Sequence, residues 1–65
     1  MYFMLFQDKA NNLWYWNLYT DTHRTIATGA EGYISKEDAR NGLQVVRRDV
    51  PFCRIYDKVQ ETWEL

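Results

Sequence analysis

The stretch Glu31-Gly32-Tyr33-Ile34-Ser35-Lys36-Glu37-Asp38-Ala39-Arg40-Asn41-Gly42-Leu43 divides this chain into two kinds of pattern. Upstream, aromatic and apolar residues fall in short strand-like runs between turn residues. Downstream, Ala39, Leu43, Val46 and Val50 recur at helical spacing and form one apolar stripe. Ser35 is a natural N-cap, and Asp38 three residues later completes a short capping box. Glu37 and Asp38 sit where the helix dipole favours negative charge, and Arg47 and Arg48 sit at its opposite end. Pro51 disfavours helical geometry at Val50, so the spacing predicts a helix ending near Asp49. Gly42 lies on the stripe and costs up to about 1 kcal/mol relative to Ala. That cost is intelligible if the helix backbone lies close against a bulky group such as Trp16.

The upstream half reads as three strands. Tyr2 to Gln7 is apolar on both faces and is followed by a turn, Asp8-Lys9-Ala10-Asn11-Asn12, in which Asp8 and Asn11 suit tight-loop geometry. Leu13 to Tyr19 alternates, with Trp14, Trp16 and Leu18 on one face and Tyr15, Asn17 and Tyr19 on the other. A four-residue loop, Asp8 to Asn11, pairs Leu5 with Trp14 and Phe3 with Trp16. A one-residue slip would scatter the apolar set over both faces. Thr20 to Arg24 is the second turn, and His23 tolerates the left-handed region there. Thr25 to Thr28 is a short third strand with Ile26 as its core candidate, although either Ile26 or Ala27 can point inward depending on loop length. Beyond the helix, Phe52 to Val59 alternates again, with Cys53 and Ile55 opposite Arg54 and Tyr56. Gln60 to Leu65 is a largely polar tail carrying Trp63, a costly side chain to leave in water.

The pattern is α+β, in the order β-β-β-α-β, over a single domain 1–65 with 59–65 as a C-terminal extension. The expected core is Phe3, Leu5, Trp16, Leu18, Ile26, Ala39, Leu43, Val46 and Ile55. Size makes that core marginal. A chain this short buries only about 60% of the surface its unfolded form exposes, and such domains add disulfides, a metal or an oligomeric interface. Cys53 is the only cysteine, so no internal disulfide forms, and a buried thiol is the expectation. One Cys and one His cannot supply a structural zinc site. Oligomerisation remains, served by three Trp, five Tyr and three Phe.

The net charge of −1 gives no global attraction to nucleic acid or anionic membrane. No apolar run reaches the roughly 20 residues of a membrane span. Met1 to Phe6 lacks the basic start of a signal peptide, so a cytoplasmic location and no membrane partner are expected.

No catalytic constellation stands out. His23 sits in a turn without an evident nucleophile. Cys53 lacks a positive neighbour on its own strand face. Gly29 and Gly32 precede a helix, but neither a P-loop nor a dinucleotide motif is present, and the acidic first turn would repel phosphate. The chain therefore reads as non-enzymatic and without a cofactor or metal. Gly32, Ser35, Asp38 and Gly42 read as structural, with Gly32 freeing the chain to turn. The candidate binding surface is the second sheet face, where Met4, Phe6, Tyr15, Asn17, Tyr19, Arg54 and Tyr56 would lie together. Its binding residues would be Tyr15, Tyr19, Arg54 and Tyr56. Tyr and Arg are enriched at protein interfaces. The alternative is a surface that stacks single-stranded bases, weakened by the negative charge and by the absence of a recognised RNA-binding motif.

Asp8-Lys9-Ala10, Trp16 and Leu18, Ile26-Ala27-Thr28, Glu31-Gly32-Tyr33-Ile34-Ser35-Lys36 and Asn41-Gly42-Leu43 together resemble the YegP-like family, small proteins carrying a domain of unknown function. The resemblance runs from about Tyr2 to Asp57. It implies paired β-β-β-α-β units that exchange C-terminal strands within one sheet, and hence a homodimer for a chain with one unit. It implies no activity and no cofactor. Thr22-His23 stands where the family has an Asn-Gly turn, Ala30 lengthens the glycine loop, and the Trp63 tail lies outside the motif. The resulting expectation is a non-catalytic homodimeric module that binds a protein through its aromatic face.

Overall fold

The computed structural model describes residues 1–64; Leu65, assigned above to the tail, lies outside the described residues. Three strands, β1 (Tyr2–Gln7), β2 (Trp14–Tyr19) and β3 (Thr25–Thr28), form an antiparallel sheet in the order β1-β2-β3. The helix α1 (Lys36–Asp49) follows and runs into a short 3-10 turn, Val50–Phe52. Two further strands, β4 (Ile55–Asp57) and β5 (Thr62–Glu64), pair only with each other. The α+β class and the β-β-β-α-β order hold, with β5 as an addition inside the expected extension.

The helix boundaries follow local chemistry. Ser35 Oγ accepts the Asp38 N–H at 3.1 Å, so one orphan donor of the first turn is satisfied. The α-helix ends at Asp49 as expected, but Pro51 does not push Val50 out of helical geometry: Val50 has φ −55° and ψ −39°, and the chain tightens into the 3-10 turn that holds the proline.

The β1–β2 register differs from expectation by two residues. Leu5 faces Trp16 and Phe3 faces Leu18. The loop is longer than four residues because its polar side chains build a wider turn. Asp8 Oδ1 accepts the Ala10 N–H at 2.8 Å, Asn11 Oδ1 accepts the Leu13 N–H at 2.9 Å, and Asn12 takes a φ of 61°. A shift of two conserves side-chain parity, so Phe3, Leu5, Trp14, Trp16 and Leu18 still share one face. Between β2 and β3 a bulge falls at Leu18/Tyr19: Tyr19 pairs with Thr25, but Leu18 pairs with Ala27. The extra residue is Ile26, which is 56% exposed while Ala27 is half-buried. Ile26 is therefore not core; the bulge turns it out. His23 occupies the left-handed region at φ 68°, as expected for the second turn.

The core is small. Trp16, Ala39 and Leu43 are buried, and Phe3, Leu5, Leu18 and Val46 are half-buried around them. Trp16 lies against Gly29, where an added Cβ would come 2.8 Å from the indole. Gly42 does not rest on Trp16. It rests on Tyr33, whose ring carbon Cζ would lie 2.8 Å from an added Cβ. Tyr33 is held there by a two-way backbone bridge to Trp14, with hydrogen bonds of 2.7 and 2.8 Å. Between α1 and β1 a groove of about 710 Å³ remains open, lined by Phe3, Leu5, Leu18, Leu43, Val46 and Val50 among others.

Two core expectations fail at the C-terminus. Ile55 is 61% exposed and Cys53 is exposed. The fourth strand starts later than expected, so Cys53 lies in the linker after the 3-10 turn, its thiol 3.5 Å from the Asp49 carbonyl. Strand β4 pairs with β5 and with no other element among the described residues, so Ile55 has nothing to pack on.

Candidate functional site

Helix α1 covers only the Trp16 face of the sheet. The opposite face is set by the register. Tyr2 lies across from Tyr19, Met4 from Asn17, and Phe6 from Tyr15, with Thr28 and Thr25 beside Asn17 and Tyr19. None of these side chains is charged. No helix or strand among the described residues packs over them.

The rings form two clusters. Phe6 and Tyr15 stack with centroids 5.8 Å apart. Tyr2 and Tyr19 lie 5.4 Å apart, and the His23 ring meets Tyr2 edge-on at 5.9 Å. Such pairs are worth about 0.5–1.5 kcal/mol beyond their buried area, enough to bias rotamers on an open face. Hydrogen bonds fix the ring tips. Asn11 Nδ2 donates to Tyr15 Oη at 2.9 Å, Asn17 Nδ2 donates to Tyr19 Oη at 3.0 Å, and Tyr2 Oη lies 2.8 Å from His23 Nδ1. At the same end, the Met1 ammonium pairs with Asp21 and holds its carboxyl below the usual range.

The glycine motif supports this face in a way that conformational freedom does not explain. No glycine has positive φ, so Gly32 is not there to permit a left-handed turn. A Cβ at Gly32 would lie 2.9 Å from Tyr15 Cζ and 2.8 Å from Leu13 Cδ1. Glycine lets the loop pass beneath the Tyr15 ring.

Of the four residues expected to bind, Tyr15 and Tyr19 lie on this face. Arg54 and Tyr56 do not join them within one chain. They stand on the C-terminal hairpin, where the Arg54 guanidinium sits 4.1 Å over the Trp63 ring and Tyr56 lies 4.9 Å from it. Arg54 and Tyr56 thus shelter Trp63, which remains 56% exposed. Tyr2 belongs to the face although only its strand was identified from sequence; its parity with Met4 and Phe6 was the available signal. Among the described residues, no group of three or more His, Cys, Asp or Glu side chains could hold a metal. No helix among them is long and apolar enough to cross a membrane.

The family model for a domain of unknown function, DUF1508, matches residues 9–57. A solution NMR structure of a protein from Haloferax volcanii is similar at 32% identity, covering 86% of this chain and 92% of that one, with a TM-score of 0.77. No curated protein matches the chain.

Proposed function

The chain belongs to the family defined by DUF1508, the domain of unknown function that YegP-like proteins carry, and from that premise we propose that it is a non-catalytic homodimeric module whose aromatic sheet face binds a protein. The observation that carries the dimer is the detached C-terminal hairpin. The Cα radius of gyration is 14.2 Å, against about 11 Å for a compact chain of this length. Strands β4 and β5 contact each other and no other element among the described residues. A lone two-stranded hairpin is marginal in water, and this one leaves Ile55, Val59 and Trp63 exposed. The open groove beside α1 lies under β1, whose outer edge has no partner strand among the described residues. A second copy's β4 laid along that edge would cover the groove and give the hairpin a sheet to join. This accords with the exchanged C-terminal strands that the family resemblance implies.

The occupant of the aromatic face is a protein rather than a nucleic acid. Single-strand binding draws on cations tracking the phosphates; within one chain this face carries no charged side chain, and a partner's β4 would add only the single guanidinium of Arg54 beside it. A cytoplasmic setting is part of the same reading, since a lone cysteine supplies no disulfide framework of the secreted kind.

Sedimentation velocity at micromolar concentration tests the assembly. Twice the chain mass is expected, with Ile55→Asp or Trp63→Ala shifting the distribution toward monomer. A fully folded parent monomer at that concentration would end the dimer reading.

A further inference from the structure

We propose that the groove between α1 and β1 seats one particular face of a second copy's C-terminal hairpin, with the Asp57 and Glu64 carboxylates set against the Arg40 and Arg47 guanidinium groups of α1. This rests on the dimer reading above and adds which face of the hairpin turns inward and which charges orient it.

The groove has two kinds of lining. Phe3, Leu5 and Leu18 from the sheet and Leu43 and Val46 from the helix are apolar. Arg40, Gln44 and Arg47 line the same groove and recur at helical spacing along one flank of α1. All three are exposed, and neither arginine makes an ion pair among the described residues. An occupant that matches this surface is apolar where it meets the sheet and acidic where it meets the helix.

The hairpin presents two unlike faces. Ile55 pairs with Glu64, and Asp57 with Thr62. Opposite residues share a face, as do alternate ones along a strand, so Ile55, Asp57, Thr62 and Glu64 lie together. Ile55 is exposed, and Glu64 makes no ion pair among the described residues. Asp57 commits Oδ1 to the turn and keeps Oδ2 unbonded among the described residues. The other face holds Arg54, Tyr56 and Trp63, with the guanidinium over the indole. Turned to the groove, that face would bring Arg54 toward Arg40 and Arg47, and like charges set together at an interface oppose association. The Ile55 face brings two carboxylates instead and lays an aliphatic side chain on the apolar lining. Charge and burial select the same face. Within one chain the hairpin contacts no other element among the described residues, which leaves this face free for a second copy.

The test is the dimer dissociation constant of the full chain, measured by sedimentation equilibrium at low salt. Glu64→Arg turns an opposite-charge contact into a like-charge one. The loss is roughly fivefold per contact, and each contact occurs twice in a two-fold dimer, so the constant is expected to rise about 25-fold. Arg40→Glu/Arg47→Glu is expected to weaken the dimer at least as much. Adding Arg40→Glu or Arg47→Glu to Glu64→Arg restores an opposite pair, and one of the two combinations is expected to recover most of the loss, which a variant that had merely lost its hairpin would not do. If the parent is a dimer and Glu64→Arg leaves the constant unchanged, or if neither combination recovers it, the charged seating is wrong and the dimer reading stands. If the parent is a folded monomer, both readings fail.

Discussion

Gly42→Ala sets two effects of opposite sign against each other. Gly42 is inside α1, where alanine is favoured by about 1 kcal/mol on helix propensity alone. The new methyl, however, meets the Tyr33 ring, with Cζ 2.8 Å from the Cβ position and Oη closer still. The Tyr33 main chain is pinned, its N–H and C=O both bonded to Trp14, so the methyl can be accommodated only by turning the ring about its side-chain bonds or shifting the helix. Overpacking of this kind costs roughly 1–3 kcal/mol, so taking about 2 and subtracting the propensity gain leaves a net loss near 1 kcal/mol. For a domain this size that is a fall in Tm of about 4–8 °C. In a Tyr33→Ala background the clash is gone and the same substitution stabilises by about 1 kcal/mol, a coupling of about 2 kcal/mol across the cycle. Urea unfolding followed by tryptophan fluorescence measures all four corners, at one fixed protein concentration because self-association shifts apparent stability. If Gly42→Ala raises the midpoint equally in both backgrounds, Tyr33 does not press on the helix and the explanation for the glycine is wrong.

Two other substitutions test local chemistry. Ser35→Ala removes the acceptor for the Asp38 N–H and should lower unfolding free energy by about 1 kcal/mol, with Ser35→Asp restoring most of it. Asp49 is held below the usual carboxylate range by its bidentate hydrogen bonds to Arg48. Its depressed folded pKa means that any stability it contributes is present above the ordinary carboxylate range and is lost as pH falls through the folded value. Arg48→Gln should therefore raise the NMR titration midpoint of Asp49, and any stability gap between parent and variant at neutral pH should close in acid.

What the sequence made legible was local. The start of α1 is written in Ser35, because caps act within one turn; its end near Asp49 was legible too, but not for the steric reason, since Val50 keeps helical φ and ψ and the chain winds on through Pro51 as a 3-10 turn. The face assignment of Phe3, Leu5, Trp14, Trp16 and Leu18 was also legible, since alternation fixes parity. The pairing was not, because Asp8 and Asn11 spend their side chains on turn hydrogen bonds that lengthen the loop by two residues. Parity survives a shift of two, so the error left the faces intact. The bulge that turns out Ile26 depends on how the Thr20–Arg24 turn closes, and no periodicity encodes it. Gly42 announced a close approach, but the bulky partner was Tyr33, delivered by a backbone bridge rather than by a regular strand.

The division of the candidate face has a different origin. Alternation says that Arg54 and Tyr56 do not share a strand face with Ile55; it does not say which sheet the strand joins. Within one chain β4 joins β5. Asp57 Oδ1 accepts the N–H groups of Val59 and Gln60 at 2.9 and 3.1 Å, and Tyr56 pairs with Trp63. That hairpin closes locally, and β4 makes no pairing with β1 in the same chain. In the proposed dimer the partner's β4 would extend both faces of the sheet at once. Successive residues point to opposite sides, so its register on β1 would send either Ile55 or Tyr56 to the groove beside α1 and the other to the aromatic face. The groove is mostly apolar, with Arg40, Gln44 and Arg47 among its lining residues, and would reward Ile55. The same choice would return Tyr56 to the face that holds Tyr15 and Tyr19, and under the proposed dimer that four-residue surface would be a property of the assembly and not of the protomer.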